Sequence, residues 1–192
     1  MRCFGCNKLS LEPLCAECTT KFLSPNITKR KAGSLEVISL FGYKDISHLL
    51  LSKHTPSGFR LYKYISKVVL KPFLQEFASN IDEPVSLIAI DERVGKSGYS
   101  HTAIMSHYAQ NDKIVPQYAK LIATNNISYA GKSLQYRLDH PREFEYRGKS
   151  DIEAILIDDI ITTGTTLNQA QIALSSYGVE VLFAVTLADA RV

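Results

Sequence analysis

The stretch Ile155–Leu167, ILIDDIITTGTTL, decides how the rest of this chain is read. An apolar run of strand type ends in two adjacent acids, Asp158 and Asp159. Two apolar residues follow, and then Thr162-Thr163-Gly164-Thr165-Thr166 leads into a helical pattern. In open α/β sheets ligands bind at the carboxyl ends of strands, which is where this order places the acids. Two carboxylates there can accept hydrogen bonds from the vicinal hydroxyls of a ribose. The threonine loop offers successive backbone N–H groups and hydroxyls at the positive end of the next helix, and Gly164 permits the tight turn, so the loop suits a monophosphate. The lysine of a Walker loop and the spaced glycines of a dinucleotide fingerprint are both missing from this sequence.

Working outward, Thr165 to Tyr177 has helical character, Gly178 stops it, and Glu180 to Leu187 is a final strand rich in β-branched and aromatic residues. Strand, helix and strand at these lengths make a βαβ unit, and such units build parallel sheets. Upstream, Val85 to Asp91 reads as a buried strand, 92–98 as a loop and Tyr99 to Gln110 as a helix. Ile114 to Ala123 is extended and interrupted by Pro116, while Thr124 to Ser150 is polar and basic with no clear period. Leu35 to Tyr43 is expected to be a strand and Ile46 to Leu51 the start of a helix. With 192 residues, 45% hydrophobic and 21% charged, the chain should form one ordinary core with a small appendage.

All four cysteines fall in the first 18 residues, as Cys3-x2-Cys6 and Cys15-x2-Cys18. Each C-x-x-C turn brings two thiolates to one ion, and two such turns close a tetrahedral site with no open position, so a structural zinc is expected on Cys3, Cys6, Cys15 and Cys18. Disulfides are the competing reading, and two copies this close resemble ligands more than a redox pair. MRCFGC has no apolar signal-peptide core and no apolar run approaches a bilayer span, so a cytoplasmic, reducing setting is expected. Residues 1–34 are read as this knuckle plus a linker from Lys21 to Ser34, and 35–192 as the main domain, with a basic helical part at 35–80 and the sheet core at 81–192.

The net charge of +3 hides two opposite ends. Residues 1–80 carry 12 basic and 5 acidic side chains, and residues 151–192 carry 1 and 6. A basic front half favours a polyanionic partner through phosphate contacts and counterion release. From Arg60 to Asn80 the period is helical, with Leu61, Ile65 and Val68 or Val69 on one side and Pro72 expected to kink or restart the helix. At about 100° per residue, Arg60, Lys63, Lys67 and Lys71 fall within an arc of about 80°. That stripe could track a phosphate backbone, with Tyr62 and Tyr64 as stacking faces for unpaired bases. On charge and spacing the candidate DNA residues are therefore Lys53, Arg60, Lys63, Lys67 and Lys71, with Lys29, Arg30 and Lys31 as a second patch. His48, His54, His101, His107 and His140 show no ligand or triad spacing and receive no role.

The segment around Asp158 and Asp159 resembles the phosphoribosyl pyrophosphate motif of type I phosphoribosyltransferases. That resemblance implies ribose hydroxyls on the acidic pair, the 5′-phosphate on Thr162, Thr163, Gly164, Thr165 and Thr166, and Mg2+ accompanying the ligand. With the paired knuckles and the basic helical segment, the whole chain resembles the ComF family of bacterial competence proteins; Tyr43 to Gly58, with Lys53 and Gly58, and the segment Ser97-Gly98-Tyr99-Ser100-His101 are similar to family segments. The implied fold is α/β, a type I phosphoribosyltransferase-like parallel sheet flanked by helices with a small N-terminal four-cysteine zinc knuckle. The chain departs from the family where Arg-Gly-aromatic-Asn-Gln is usual, and of the family's later signals only Gln135 with Leu138 has a candidate. Arg93 and Lys96 could neutralise pyrophosphate. Three functions fit: a protein of DNA uptake that binds single-stranded DNA and phosphoribosyl pyrophosphate and works with other uptake or recombination proteins, an active phosphoribosyltransferase on an unknown acceptor, and a phosphoribosyl pyrophosphate-sensing regulator. The split charge favours the first.

Overall fold

The computed structural model describes residues 1–90, 94, 97–125 and 133–192. Its order is α1 (Ala16–Phe22), β1 (Thr28–Ala32), β2 (Leu35–Gly42), α2 (Tyr43–Leu50), α3 (Gly58–Ile65), α4 (Lys71–Ala78), β3 (Val85–Ala89), α5 (His101–Ala109), β4 (Ile114–Pro116), β5 (Leu121–Ala123), α6 (Leu134–Asp139), β6 (Phe144–Tyr146), β7 (Glu153–Ile161), α7 (Thr165–Ser175) and β8 (Glu180–Asp189). A 3-10 turn, Leu51–His54, follows α2, and a π-helical turn, Ser66–Leu70, joins α3 to α4. Pro72 is the second residue of α4, directly after that π-helical turn, and the helical run continues through it unbroken.

Six strands form the main sheet in the order β1-β2-β8-β7-β3-β4, with only the β1–β2 pair antiparallel. The expected α/β architecture of a largely parallel, helix-flanked sheet is thus present. β7 lies at its centre, and its near-continuous apolar run is what a strand covered on both faces requires. One face packs Ile155, Ile157, Val185 and Leu187 against helices α2 to α5. The other packs Leu156 and Ala184 against Leu167, Ala170 and Leu174 of α7 and against the small β5–β6 hairpin. From β3 the chain crosses through α5 to β4 in one direction, and from β7 through α7 to β8 in the other. The carboxyl ends of β3 and β7 therefore diverge, and the crevice between them is the place where open α/β sheets hold ligands.

Residues 21–34 differ from the expected linker. Thr28–Ala32 is an edge strand, joined to β2 by a two-residue hairpin in which Gly33 has φ +66°. Residues 124–150, without a readable period, supply α6 and β6. The knuckle adds α1, and its Cys3, Leu14 and Cys18 are buried in the same core as α2 and α3. Tyr64 and Thr19 share a hydrogen bond of 2.9 Å across that contact. Among the described residues no helix is long and apolar enough to cross a membrane.

Candidate functional site

The end of β7 puts Asp158 and Asp159 on opposite faces of the sheet, as neighbouring strand residues must be. Asp158 is part-exposed and lines a notch with Thr162, Gly164 and Thr166. The enclosed part of this notch is about 20 Å³, so a phosphate would sit in its open mouth. Gly164 caps α7 at φ +85°, a left-handed conformation that turns the chain so sharply that a Cβ there would lie 2.7 Å from Cβ of Ala32. The first amides of α7 and the Thr163 and Thr165 hydroxyls, 2.9 Å apart, gather at that turn. Arg30 braces the loop from β1: its Nε donates to Asp189 and its Nη2 to the Thr162 carbonyl, both at 2.6 Å. Its Nη1 is buried with no partner among the described residues.

Asp159 is buried and surrounded by polar groups from three other elements. Its Oδ2 accepts from Lys53 Nζ at 2.5 Å and from the Tyr62 hydroxyl at 3.3 Å, and it lies 3.6 Å from Nε2 of His101. The Leu50 carbonyl, 3.2 Å from the Tyr62 hydroxyl, shares that group's one proton with Asp159, and the Tyr62 ring meets the His101 ring edge to face. Burial works against a charge on Asp159, but His101 and Lys53 outweigh it and hold the carboxyl well below the usual range. On Lys53, burial opposes the charge and Asp159 overcomes it, so the ammonium pKa is raised. Tyr62 is pushed well above its ordinary value by burial and then by the Asp159 charge. Asp158 behaves oppositely to its neighbour: burial and the Asp159 charge push it up to about 7. Asp159 is thus the member of the pair that favours ionisation, and Asp158 the one that favours its proton.

At the amino end, the four cysteine sulfurs lie within 4.8 Å of one another, and none is in a disulfide. Cys3 Sγ accepts from the amides of Cys15 at 3.3 Å and Gly5 at 3.4 Å. Burial disfavours its thiolate, yet these amides prevail and hold Cys3 at about 6, while burial and the neighbouring thiols push Cys18 up to about 12. Four sulfurs this close, with backbone N–H groups aimed at one of them, have the donor set of a closed tetrahedral zinc site.

The basic residues divide. Arg60, Lys63 and Lys67 share the wall of a groove of about 690 Å³ between the knuckle and the α3 run, while Lys71 lies outside it. Lys29 and Lys31 are exposed on β1, with Lys29 3.6 Å from Glu36. Lys53 and Arg30, expected on the cationic surface, are instead turned inward, because each meets a buried carboxylate that needs a counter-charge. Tyr62, expected as a stacking face, is fully buried, whereas Tyr64 does line the groove. His101, given no role in the sequence, stands beside the acidic pair; its place at the start of the helix after β3, in the segment Ser97-Gly98-Tyr99-Ser100-His101, is the signal that could have found it. Gln135 donates to Asp139 within α6, and the side chain of Leu138 lies outside those described. Arg93 and Lys96 also lie outside the described residues.

Several solved structures resemble this one at low identity. An adenine phosphoribosyltransferase is 12% identical over 91% of this chain and 89% of its own, with a TM-score of 0.46. A phosphoribosyltransferase from Corynebacterium diphtheriae is 15% identical over 91% and 82%, at 0.41. For a hypoxanthine phosphoribosyltransferase from Staphylococcus aureus the identity is 18% over 67% and 62%, at 0.41; this chain thus spans less than two thirds of that enzyme. No curated protein matches the chain in sequence. The phosphoribosyl transferase domain family matches residues 71–192, which take in the sheet core, both acids and the threonine loop, and the chain belongs to that family.

Proposed function

We propose that this chain is a ComF-type protein of DNA uptake in natural transformation, working in the cytoplasm, that binds phosphoribosyl pyrophosphate at one end of its sheet and single-stranded DNA on its zinc-held front. The observation that carries this reading is the packing of the four-cysteine knuckle against the helical run bearing Arg60, Lys63 and Lys67, so that Leu11, Glu12 and Pro13 of the knuckle and these cations line one groove. A metal there would hold a nucleic-acid surface in shape and take no part in chemistry. The ribose belongs at Asp158, whose carboxylate opens on the notch, with Asp159 behind it. The 5′-phosphate belongs on the turn Thr162 to Thr166, which Arg30 braces from behind through the Thr162 carbonyl. Mg2+ would arrive with the pyrophosphate, and Asp158 could offer it a carboxylate oxygen. On the DNA side, Lys29, Lys31, Arg60, Lys63, Lys67 and Lys71 supply the cations; Lys53 does not.

The deciding experiment measures binding of phosphoribosyl pyrophosphate with Mg2+, and of a single-stranded oligonucleotide, each with and without the other. Both should bind, DNA affinity should fall steeply with rising salt, and any coupling must be reciprocal. Failure of the strand to bind at low salt overturns the DNA half. An unchanged phosphoribosyl pyrophosphate affinity in Asp158→Asn/Asp159→Asn overturns the pocket half. The family match favours a second reading, transfer of the phosphoribosyl group: a nitrogen of an acceptor attacks C1′, its bond to the departing pyrophosphate breaks, and the acceptor proton is lost to solvent. Pyrophosphate release in the presence of nucleobases or oligonucleotides tests it.

A further inference from the structure

We propose that an aromatic cleft between α3 and α5 is a base-stacking site, taking the unpaired bases of a single strand whose phosphates run along Lys63 and Lys67. This deepens the DNA half of the function proposed above and rests on it. The cleft holds about 310 Å³ and is lined chiefly by Phe59, Tyr99, His107, Tyr108 and Tyr118, with no acidic side chain among its lining residues. Five rings around one small opening exceed what packing needs: Phe59 and Tyr118 remain 39% and 44% exposed. The rings are held by one another and by the backbone. Phe59 meets Tyr99 edge to face at 6.1 Å, His107 meets Tyr108 the same way at 4.8 Å, and His107 Nδ1 lies 3.1 Å from the Tyr118 hydroxyl. The Tyr99 hydroxyl donates to the Thr55 carbonyl at 3.1 Å.

Charge selects the occupant. The ammonium groups of Lys63 and Lys67 lie 5.1 and 5.3 Å from the centre of the Tyr108 ring, so Tyr108 separates a cationic ridge from the aromatic cleft. On the other side of that ridge is the knuckle groove, which Phe59, Lys63 and Lys67 also line. An apolar peptide would leave these cations without acceptors, and a duplex would keep its base faces covered. A single strand supplies both an anionic backbone for the ridge and ring faces for the cleft.

The test uses the full zinc-loaded chain and two oligodeoxynucleotides of equal length, one carrying 2-aminopurine among ordinary bases and one wholly abasic. The base-bearing strand should bind more tightly than the abasic strand, and its 2-aminopurine fluorescence should be quenched on binding. Tyr108→Leu should weaken it about tenfold, the loss of one stacked base, and leave the abasic strand unchanged. Lys63→Gln/Lys67→Gln should weaken both strands. Phe59→Leu, at an exposed position where folding is not in question, should also lower affinity for the base-bearing strand alone. Equal affinity for the two strands, or unchanged binding of the base-bearing strand by both Tyr108→Leu and Phe59→Leu, overturns the cleft while leaving the DNA reading in place. No binding of either strand by the unmodified chain overturns the DNA reading and the cleft with it.

Discussion

Lys53 Nζ lies 2.5 Å from Oδ2 of Asp159, tying the turn after α2 to the end of the central strand. The carboxylate is buried and the ammonium mostly so, so each needs the other more than an exposed pair would. Lys53→Met should therefore destabilise the fold by about 2 kcal/mol or more, since it strands a buried charge between Tyr62 and His101. Lys53→Met/Asp159→Asn should recover most of that loss, because the charge is then gone as well. Thermal melts of the two variants check this; an unaffected single variant would mean that water already serves Asp159.

Asp158 is raised and Asp159 lowered, so acidification acts on them in opposite senses. For a raised carboxyl, folding favours the protonated form; its contribution is fully present below the unfolded-state value and is lost as pH rises towards the folded value of about 7. Asp158→Asn keeps an acceptor for the Asp159 amide, which Asp158 Oδ1 now serves at 2.8 Å, and removes the cost of ionisation. The variant should melt roughly 2–4 °C above the parent near pH 8, with the gap closing towards pH 4. A gap that stayed constant with pH would show that desolvation is not the cause. Stability gained while ligand binding is lost is the expected signature of a binding carboxylate held in an unfavourable setting.

Gly164 meets two separate demands. Its φ of +85° suits only glycine without strain, and a Cβ would be forced against Ala32 on β1. Gly164→Ala should cost about 1–2 kcal/mol and weaken phosphoribosyl pyrophosphate binding, since the loop must shift. Adding Ala32→Gly removes the clash but not the backbone strain. Calorimetric titration should then show partial recovery, and full recovery would assign the whole effect to the clash.

Legibility in the sequence followed locality. The segment from β7 to α7 could be read because its strand, acids, turn and helix are contiguous, and because a strand covered on both faces must be apolar almost throughout. β1 is obscured because, of its inward positions Thr28, Arg30 and Ala32, only Ala32 is apolar; the carboxylate that makes an inward arginine acceptable, Asp189, lies 159 positions away. The hairpin signal at Gly33-Ser34 was present but sat inside a lysine-rich run that reads as linker. Tyr62 and Lys53 failed as surface candidates for the same physical reason. A buried hydroxyl and a buried ammonium are tolerated only where a distant acceptor waits, and periodicity carries no trace of Asp159. The cysteine pairs needed no such partner, since their spacing alone brings them together.

Zinc should matter to the front of the molecule and not to the sheet. Of the knuckle only Cys3, Leu14 and Cys18 enter the core, Leu9 and Leu11 stay exposed, and two of those three core residues are themselves candidate ligands, so metal binding must supply much of its folding energy. The purified chain should hold about one zinc per monomer, and Cys15→Ser should lose it. On chelation, amides of Ala16–Phe22 should exchange roughly 100-fold faster or more, while those of Ile155–Ile157 at the sheet centre stay protected. DNA affinity should fall in parallel, because the wall of the groove opposite Arg60, Lys63 and Lys67 is formed by Leu11, Glu12 and Pro13 of the knuckle. Phosphoribosyl pyrophosphate binding should persist, since the Thr162 to Thr166 turn stands on β7 and α7. If chelation instead collapsed protection at Ile155–Ile157, the knuckle would be a keystone of the whole fold, and loss of DNA binding could no longer be assigned to the groove.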